Sequence, residues 1–485
     1  MSDASQHRAA VLAAWIGLFL GPLLLVACLL TDPPAGLSET AWRTVGMAAM
    51  MAVWWSTEAI PIPATSLLPV LLIPLLGIDS LAKATAPYAN PTIFLFLGGF
   101  LLGLAMQRWN LHKRIALATL LAVGNQPSRQ IAGFMIATAF ISMWVSNTAT
   151  SIMMLPIGLS VIGLLTEGSA REQSERFATA LLLGIAYAAS VGGIATLIGT
   201  PPNALLAAFL RENHDVHIGF GQWMLLGVPV TAGMLLFTWW WLTRGGFRLS
   251  GGDSRSMLQQ EMAALGPMSR QEKLVALIFT LAALAWIFQP LLAEPLPGLN
   301  DTSIAIGAAL LLFLIPANVK ERTFLLDWQT ANKLPWGVLL LFGGGLSLAG
   351  VVGASGLAEW IAQSLGGLDM LPLILMIGLV ALVITFLTEI TSNTATAAAF
   401  LPLLGALAVA QGLPPQMLAI PAAIAASCAF MMPVATPPNA IVFGTGEMRI
   451  QSMIKAGFAL NLFGVFFVTL LCYGLIGLIG LIWAS

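Results

Sequence analysis

Apolar residues run in long blocks along this chain, and the blocks end at charges, prolines and glycines. Runs of spanning length predict membrane helices at about 11–31, 41–57, 61–77, 92–108, 177–210, 222–242, 273–293, 303–317, 336–353, 416–445 and 456–483. About 20 apolar residues suffice to cross a bilayer as a helix. Two of these runs, 177–210 and 416–445, are interrupted near 199–203 and 435–439. Two further apolar stretches, 130–165 and 371–409, carry a polar cluster in the middle. They read as re-entrant hairpins with the cluster at the tip, because polar backbone at membrane depth must line a cavity or be buried in protein. The expected fold class is an all-α polytopic membrane protein: about eleven transmembrane helices, in an inverted repeat with two re-entrant hairpins and two broken helices.

The interruptions are duplicated. Ser146-Asn147-Thr148-Ala149-Thr150 recurs letter for letter as Ser392-Asn393-Thr394-Ala395-Thr396. Thr200-Pro201-Pro202-Asn203 returns as Thr436-Pro437-Pro438-Asn439. Leu97-Gly98-Gly99 and Phe342-Gly343-Gly344 give a looser echo. Paired breaks in corresponding positions of two halves are the mark of a repeat-built transporter with its site between the halves.

Composition narrows the class. Of 485 residues, 58% are hydrophobic and 8% charged, with a mean hydropathy of +0.90; a soluble domain carries about 25% charged residues. The net charge of −1 argues against a nucleic-acid partner. Cys28, Cys428 and Cys472 sit far apart in apolar segments and read as packing residues. His7, His112, His214 and His217 are expected in loops or interfacial segments. His214 and His217 have the spacing to share a helix face, but a solvated loop is the preferred reading. The first apolar run is long enough to span and lacks a clear cleavage site, so it reads as a helix and not a cleavable signal.

Charge sets the orientation. With the N-terminus inside and each hairpin returning to its own side, 17 of the 20 basic residues face the cytoplasm; only Arg43, Lys83 and Arg211 face out. The positive-inside rule supports this arrangement, which opens the two hairpins to opposite sides. The expected organisation is N-terminal scaffold helices (1–91), then a first repeat (92–243) with hairpin 127–165 and broken helix 177–210. A cytoplasmic connector (244–272), read as a plain linker, and scaffold helices (273–335) lead to a second repeat (336–485). That repeat holds hairpin 371–409 and broken helix 416–445. The expected location is the cell (inner) membrane.

The tips and breaks carry the candidate chemistry. Helix N-termini expose unpaired N–H groups and attract anions. Carbonyl and side-chain oxygens suit a hard cation, and asparagine offers both an amide donor and an amide acceptor. Ser, Asn and Thr are also ordinary helix caps, but two identical copies in opposed hairpins favour a site. The proline pairs should unwind their helices and free carbonyls. No Lys or Arg lies within either motif, so a dianion there would be held by neutral donors, helix ends and co-bound cations. Glu389, four residues before Asn393, has two readings: a proton or sodium relay, or a carboxylate paired with backbone N–H groups or a polar partner. Glu58, beside Trp54 and Trp55, reads as an interfacial anchor.

These residues resemble the divalent anion/sodium symporter family, the sodium-coupled dicarboxylate and citrate transporters. The resemblance includes Trp54 to Pro61, Asn90-Pro91-Thr92-Ile93-Phe94-Leu95, Gln107-Arg108-Trp109-Asn110-Leu111 and both motif pairs. It implies a homodimer with a scaffold domain at the interface and a transport domain that moves as an elevator. It implies one sodium at Ser142, Ser146, Asn147 and Gly199 and a second at Thr388, Ser392, Asn393 and Ala435. The carboxylate substrate would contact Asn147, Thr148, Asn393 and Thr394, with Thr200 and Pro437 lining the pocket. The leading expectation is therefore a sodium-coupled importer of C4 dicarboxylates (succinate, malate, fumarate). The alternatives are a citrate or sulfate symporter, or a sodium-independent exchanger. A channel is disfavoured because no ring of pore residues recurs. An enzyme is disfavoured because no catalytic cluster falls at membrane depth.

The orientation is testable by labelling. A single cysteine at Arg255→Cys should react only from the cytoplasm and one at Asp301→Cys only from outside; labelling of both from one side overturns the topology.

Overall fold

The computed structural model describes residues 3–252, 254–364 and 371–483. The side chain of His7 lies outside the described residues. Helices dominate, and the one sheet among the described residues is a short antiparallel pair, Pro316–Asn318 with Thr323–Phe324. Among the described residues, eight helices are long and apolar enough to cross a membrane, and four shorter apolar helical stretches accompany them.

The interrupted elements form as expected. The first hairpin is Pro127–Ser142 and Asn147–Thr166, and the second is Leu373–Leu387 and Asn393–Ala410. Ser146 and Ser392 occupy the N-cap positions of the returning limbs. The first broken helix is Arg171–Ile194 and Pro201–His214; the second is Gln416–Ala426 and Pro437–Phe443. Each second piece starts on its proline pair, where a missing N–H costs nothing.

The pieces interlock across the two halves. The returning limb of hairpin one packs on Pro437–Phe443, and that of hairpin two packs on Pro201–His214. Around them, Asp3–Leu30 packs along Glu39–Thr57, and Pro91–Arg108 along Asp301–Leu314. Trp336–Ala354 lies against the short helices between residues 62 and 89. Ser347 donates to Ala84 O at 2.9 Å there, and Tyr88 donates its hydroxyl to Ser66 O.

Several expectations need correction. The stretch 61–77 is two short helices, Ile62–Thr65 and Leu68–Leu75, because prolines at 61, 63, 69 and 74 interrupt the ladder. Trp55 does not sit at an exposed surface beside Glu58. Trp55 is buried and donates to Ser66 Oγ at 3.2 Å, while Trp54 donates to Gly17 O at 3.0 Å. Glu58 ends its helix in the left-handed region, φ 48°. His112 lies in the helix Leu111–Val123, buried, with Nδ1 3.1 Å from Met106 O. His214 closes its helix, which stops at Asp215 (φ 54°), so His214 and His217 share no helix face. The connector is more than a linker. Its helix Ser254–Ala264 packs on Leu111–Val123, with Leu258 buried and Lys113 paired to Glu261 at 2.9 Å.

The Gln107-Arg108-Trp109-Asn110 segment anchors the loop that carries the small sheet. Arg108 pairs with Asp327 at 2.6 Å, and Trp109 donates to Leu325 O at 2.7 Å. Burial would raise the Asp327 carboxyl, but the Thr330 N–H and Arg108 more than offset it, leaving it below its ordinary value. A depressed carboxylate contributes fully above about pH 4 and loses that contribution as pH falls through its folded value. Hydrogen exchange across residues 316–334 should therefore quicken on acidification. Asp327→Asn should exchange fast already at neutral pH and lose the pH dependence; an unchanged profile would show that the pair anchors nothing.

Candidate functional site at the hairpin tips and helix breaks

The two tips are built alike. Ser142 Oγ lies 2.6 Å from Asn147 Oδ1 and 2.7 Å from Ala189 O. Thr388 Oγ1 lies 2.7 Å from Asn393 Oδ1 and 3.1 Å from Ala426 O. Each hydroxyl has one hydrogen and two acceptors in reach, one on its own hairpin and one on the neighbouring broken helix. The side-chain and carbonyl oxygens face one another without any cationic side chain in the motif.

Gly199 joins the first tip through a close approach. A Cβ placed on Gly193 would lie 2.8 Å from Gly199 O and 2.9 Å from Asn147 Oδ1. Only glycine fits there, and its absence of a side chain leaves room between two oxygens. Ala435 holds the position corresponding to Gly199 and is buried. Ser146 accepts from Ala149 N at 3.3 Å, as a cap does. Ser392 makes no side-chain cap bond. Asn147, Thr148 and Asn393 are half-buried, Thr394 is buried, and Pro437 is exposed. Thr200 is buried, with Oγ1 3.4 Å from Ser427 Oγ, so its hydroxyl meets the opposite break. Thr436 instead caps its own helix, accepting from Asn439 N at 3.4 Å.

Residues that sequence reasoning left without a role hold the breaks open. Asn203 Nδ2 donates to Thr196 O at 2.8 Å, with Ile194 O and Gly193 O at 3.2 and 3.3 Å. Asn439 Nδ2 reaches Met432 O and Ala429 O at 3.0 and 3.3 Å. The last residue of each Thr-Pro-Pro-Asn is thus a staple across its own break. Each break also has a helix with a glycine notch beside it. Gly227 in Phe220–Thr243 faces Ile194 O and Ala195 O, and Trp223 of the same helix donates to Ile194 O at 2.9 Å. Gly457 in Ile450–Trp483 lies so close to Phe430 O that a Cβ would overlap it. Asn461, a polar residue in the middle of the last apolar run, was the available sequence signal for this contact.

Hairpin and break are tied at equivalent positions in both halves, by different chemistry. In the first half, Thr196 donates its hydroxyl to Met143 O at 2.5 Å. In the second, Glu389 replaces Met143 and its carboxylate takes the backbone. It accepts from Phe430 N at 2.7 Å, Met431 N at 2.9 and 3.1 Å and Met432 N at 3.0 Å, and from Asn461 Nδ2 at 2.7 Å. Glu389 is 3% exposed, and these bonds fill its lone pairs. Of its two readings, the structure supports the backbone-paired carboxylate.

The surroundings of the tips differ. Trp144 stacks with Phe220 and Trp286 at centroid distances of 6.0 and 6.3 Å, beside the first tip. Near the second, Ile390 and Val434 are 70% and 74% exposed. An open cleft of about 730 Å3, lined by Pro91, Arg211, His217 and Asn300 among others, includes none of the motif residues.

Glu389→Gln removes one anionic acceptor and sets an amide N–H2 against backbone donors. Leaving buried donors unpaired costs roughly 1–3 kcal/mol each. The amides of Phe430, Met431 and Met432 should exchange at least tenfold faster, and the melting temperature should fall. Unchanged exchange at these three amides would show that the carboxylate does not hold the break.

Comparison with known proteins gives a consistent answer over nearly the whole chain. The family model for the sodium:sulfate symporter transmembrane region matches residues 12–481. The sodium-dependent dicarboxylate transporter SdcS of Staphylococcus aureus is 44% identical over 471 residues, covering 94% of this chain and 90% of SdcS. Two solved structures share the fold at low identity. MtrF of Neisseria gonorrhoeae, described with a class of antimetabolite efflux pumps, aligns with a TM-score of 0.56 at 14% identity, over 95% of this chain and 94% of its own. The YdaH transporter of Alcanivorax borkumensis aligns with 0.51 at 16% identity, over 97% and 98%. The hairpin tips, the broken helices and the match to the family model agree: this chain is a multi-pass membrane protein that belongs to the sodium:sulfate symporter family, the divalent anion/sodium symporters.

Proposed function

We propose that the protein imports C4 dicarboxylates such as succinate, malate and fumarate, coupled to sodium, as a homodimer whose transport elements move as an elevator. The observation that carries the reading is the duplicated hydroxyl–amide pair, Ser142 with Asn147 and Thr388 with Asn393, each beside a helix break. Membership of the family and the name of the 44% identical relative support it.

The chemistry follows from the donors. Each Ser or Thr hydroxyl can turn its hydrogen to the neighbouring carbonyl, Ala189 O or Ala426 O. That frees lone pairs on the hydroxyl and on the Asn Oδ1 for a hard cation. Gly199 O with Ser146, and Ala435 with Ser392, complete the two sodium sites in this reading. The Asn147 and Asn393 amide N–H groups, with Thr148 and Thr394, then bind the substrate carboxylates, and Thr200 and Pro437 line the pocket. A dianion in a site without Lys or Arg is strongly disfavoured on desolvation grounds. Bound sodium supplies the missing charge, so each ligand stabilises the other's site. Homodimerisation and the elevator motion rest on the family resemblance. Glu389 is a positioning residue in this scheme, since it fixes the break that carries Ala435.

The test is uptake into liposomes containing the purified protein. Labelled succinate should accumulate only with an inward sodium gradient, and potassium should not replace sodium. Equal uptake in both salts favours an exchanger. Uptake of citrate or sulfate in place of succinate would reassign the substrate; sulfate is the anion in the family model's description.

Asn147→Ala and Asn393→Ala each remove a donor and an acceptor from a dry site, which costs roughly 1–3 kcal/mol, or about 5- to 150-fold in affinity. Sodium and substrate affinity should fall together while the fold is kept. Intact sodium-dependent transport in both variants would make the duplicated motif structural.

A further inference from the structure

Four exposed arginines gather around the end of the helix Phe220–Thr243. Arg244 lies with its guanidinium 3.5 Å from the Trp241 ring centroid and 6.0 Å from that of Trp240. Arg176 sits 5.7 Å over the Phe247 ring, with its guanidinium against Gly245. Arg248 is held beside the start of Arg171–Ile194, since its N–H donates to Gln173 Oε1 at 3.2 Å. Arg129 follows Ser128, whose carbonyl accepts from Trp239 Nε1 at 2.9 Å. Three separate segments thus bring four cations to one end of the bundle.

Among the described residues these cations make no ion pair with a carboxylate. Glu175, on the same helix as Arg176, is taken by Arg171 at 2.7 Å and faces Arg449 at 3.6 Å. Even counting Glu172, exposed in the first turn of that helix, the patch stays positive. Below it the surface is apolar: Trp240 is 52% and Leu236 66% exposed. Arginine stacked on tryptophan at the end of an apolar span belongs at headgroup depth. All four arginines lie on the face that the basic-residue asymmetry assigns to the cytoplasm, where anionic lipids attract basic side chains.

We propose that this patch binds the phosphate headgroups of anionic phospholipids, with Trp240 and Leu236 against their acyl chains. The patch ties together hairpin one, the first broken helix and the helix notched at Gly227, so a lipid held there braces the first half of the repeat.

The test is native mass spectrometry of the full-length protein in detergent, titrated with phosphatidylglycerol or phosphatidylcholine. The wild type should retain phosphatidylglycerol in preference. Each arginine near an anionic surface contributes about fivefold in affinity. The double variant Arg176→Gln/Arg244→Gln should therefore weaken phosphatidylglycerol binding about 25-fold. Arg176→Lys/Arg244→Lys should keep most of it, which separates lost charge from misfolding. Lys320→Gln/Arg322→Gln, exposed elsewhere, should leave it unchanged. Three results would overturn the proposal: equal retention of both lipids, an equal loss in the Lys320/Arg322 variant, or displacement of the lipid by millimolar inorganic phosphate, which would mark a free-anion site.

Discussion

A helix broken at membrane depth must find partners for the backbone groups it releases, because no water is there to take them. The rest of this structure answers to that constraint. The second break runs from Ser427 to Thr436 between its two helical pieces and frees more backbone than the first. Glu389 meets the demand with one carboxylate across three successive N–H groups. Asn461 completes the set from the last helix. An ionised side chain is expensive in an apolar interior, but charge-assisted bonds to several fixed donors are the arrangement in which it is stable. The first break is shorter, and a threonine hydroxyl to Met143 O suffices.

The two halves therefore share a plan and differ in execution. The hydroxyl–amide pairs at the tips and the asparagine staples in the breaks superpose as chemistry, almost atom for atom. The ties between hairpin and break do not, and neither do the capping roles of Thr200 and Thr436. Thr200 turns to Ser427 across the centre, where the two breaks meet. A symmetric plan with an asymmetric centre lets two similar half-sites surround one ligand without being identical. The aromatic stack on Trp144 adds to this difference, since the second tip has exposed Ile390 beside it instead.

The hairpins and broken helices were legible because their signals are discontinuities: polar residues and proline pairs standing in apolar runs, each written twice. The ends of the hairpins and of the second broken helix fall within about three residues of expectation, while the first broken helix, Arg171 to His214, is longer at both ends than the apolar run 177–210. What was not legible came from contacts between distant segments. Nothing near Gly227 shows that a backbone carbonyl will press on it, and beside Gly457 the one signal is Asn461. The carboxylate of Glu389 can be read as relay or anchor until Phe430 and Met432 are placed beside it. Trp54 and Trp55 look like interface residues by type, and only the neighbouring segments show that Trp55 is buried and Trp54 half-buried against Gly17. The connector helix Ser254–Ala264 is too polar for an apolar-run reading to find, and it is held by Lys113 and its own buried Leu258.

The exchange of packing partners between halves bears on how the chain is made. The returning limb of hairpin one rests on Pro437–Phe443, and Pro201–His214 rests on the returning limb of hairpin two. Neither half can close on itself as it leaves the ribosome. For the roughly 190 residues between the first break and its partner limb, the insertion machinery must shelter a hairpin and an unwound segment that lack their final neighbours. A chain stopped before Asn461 would also leave Glu389 without its side-chain partner. Quality control then has a physical handle: incomplete chains display unsatisfied backbone and a buried carboxylate inside the bilayer, and complete chains do not.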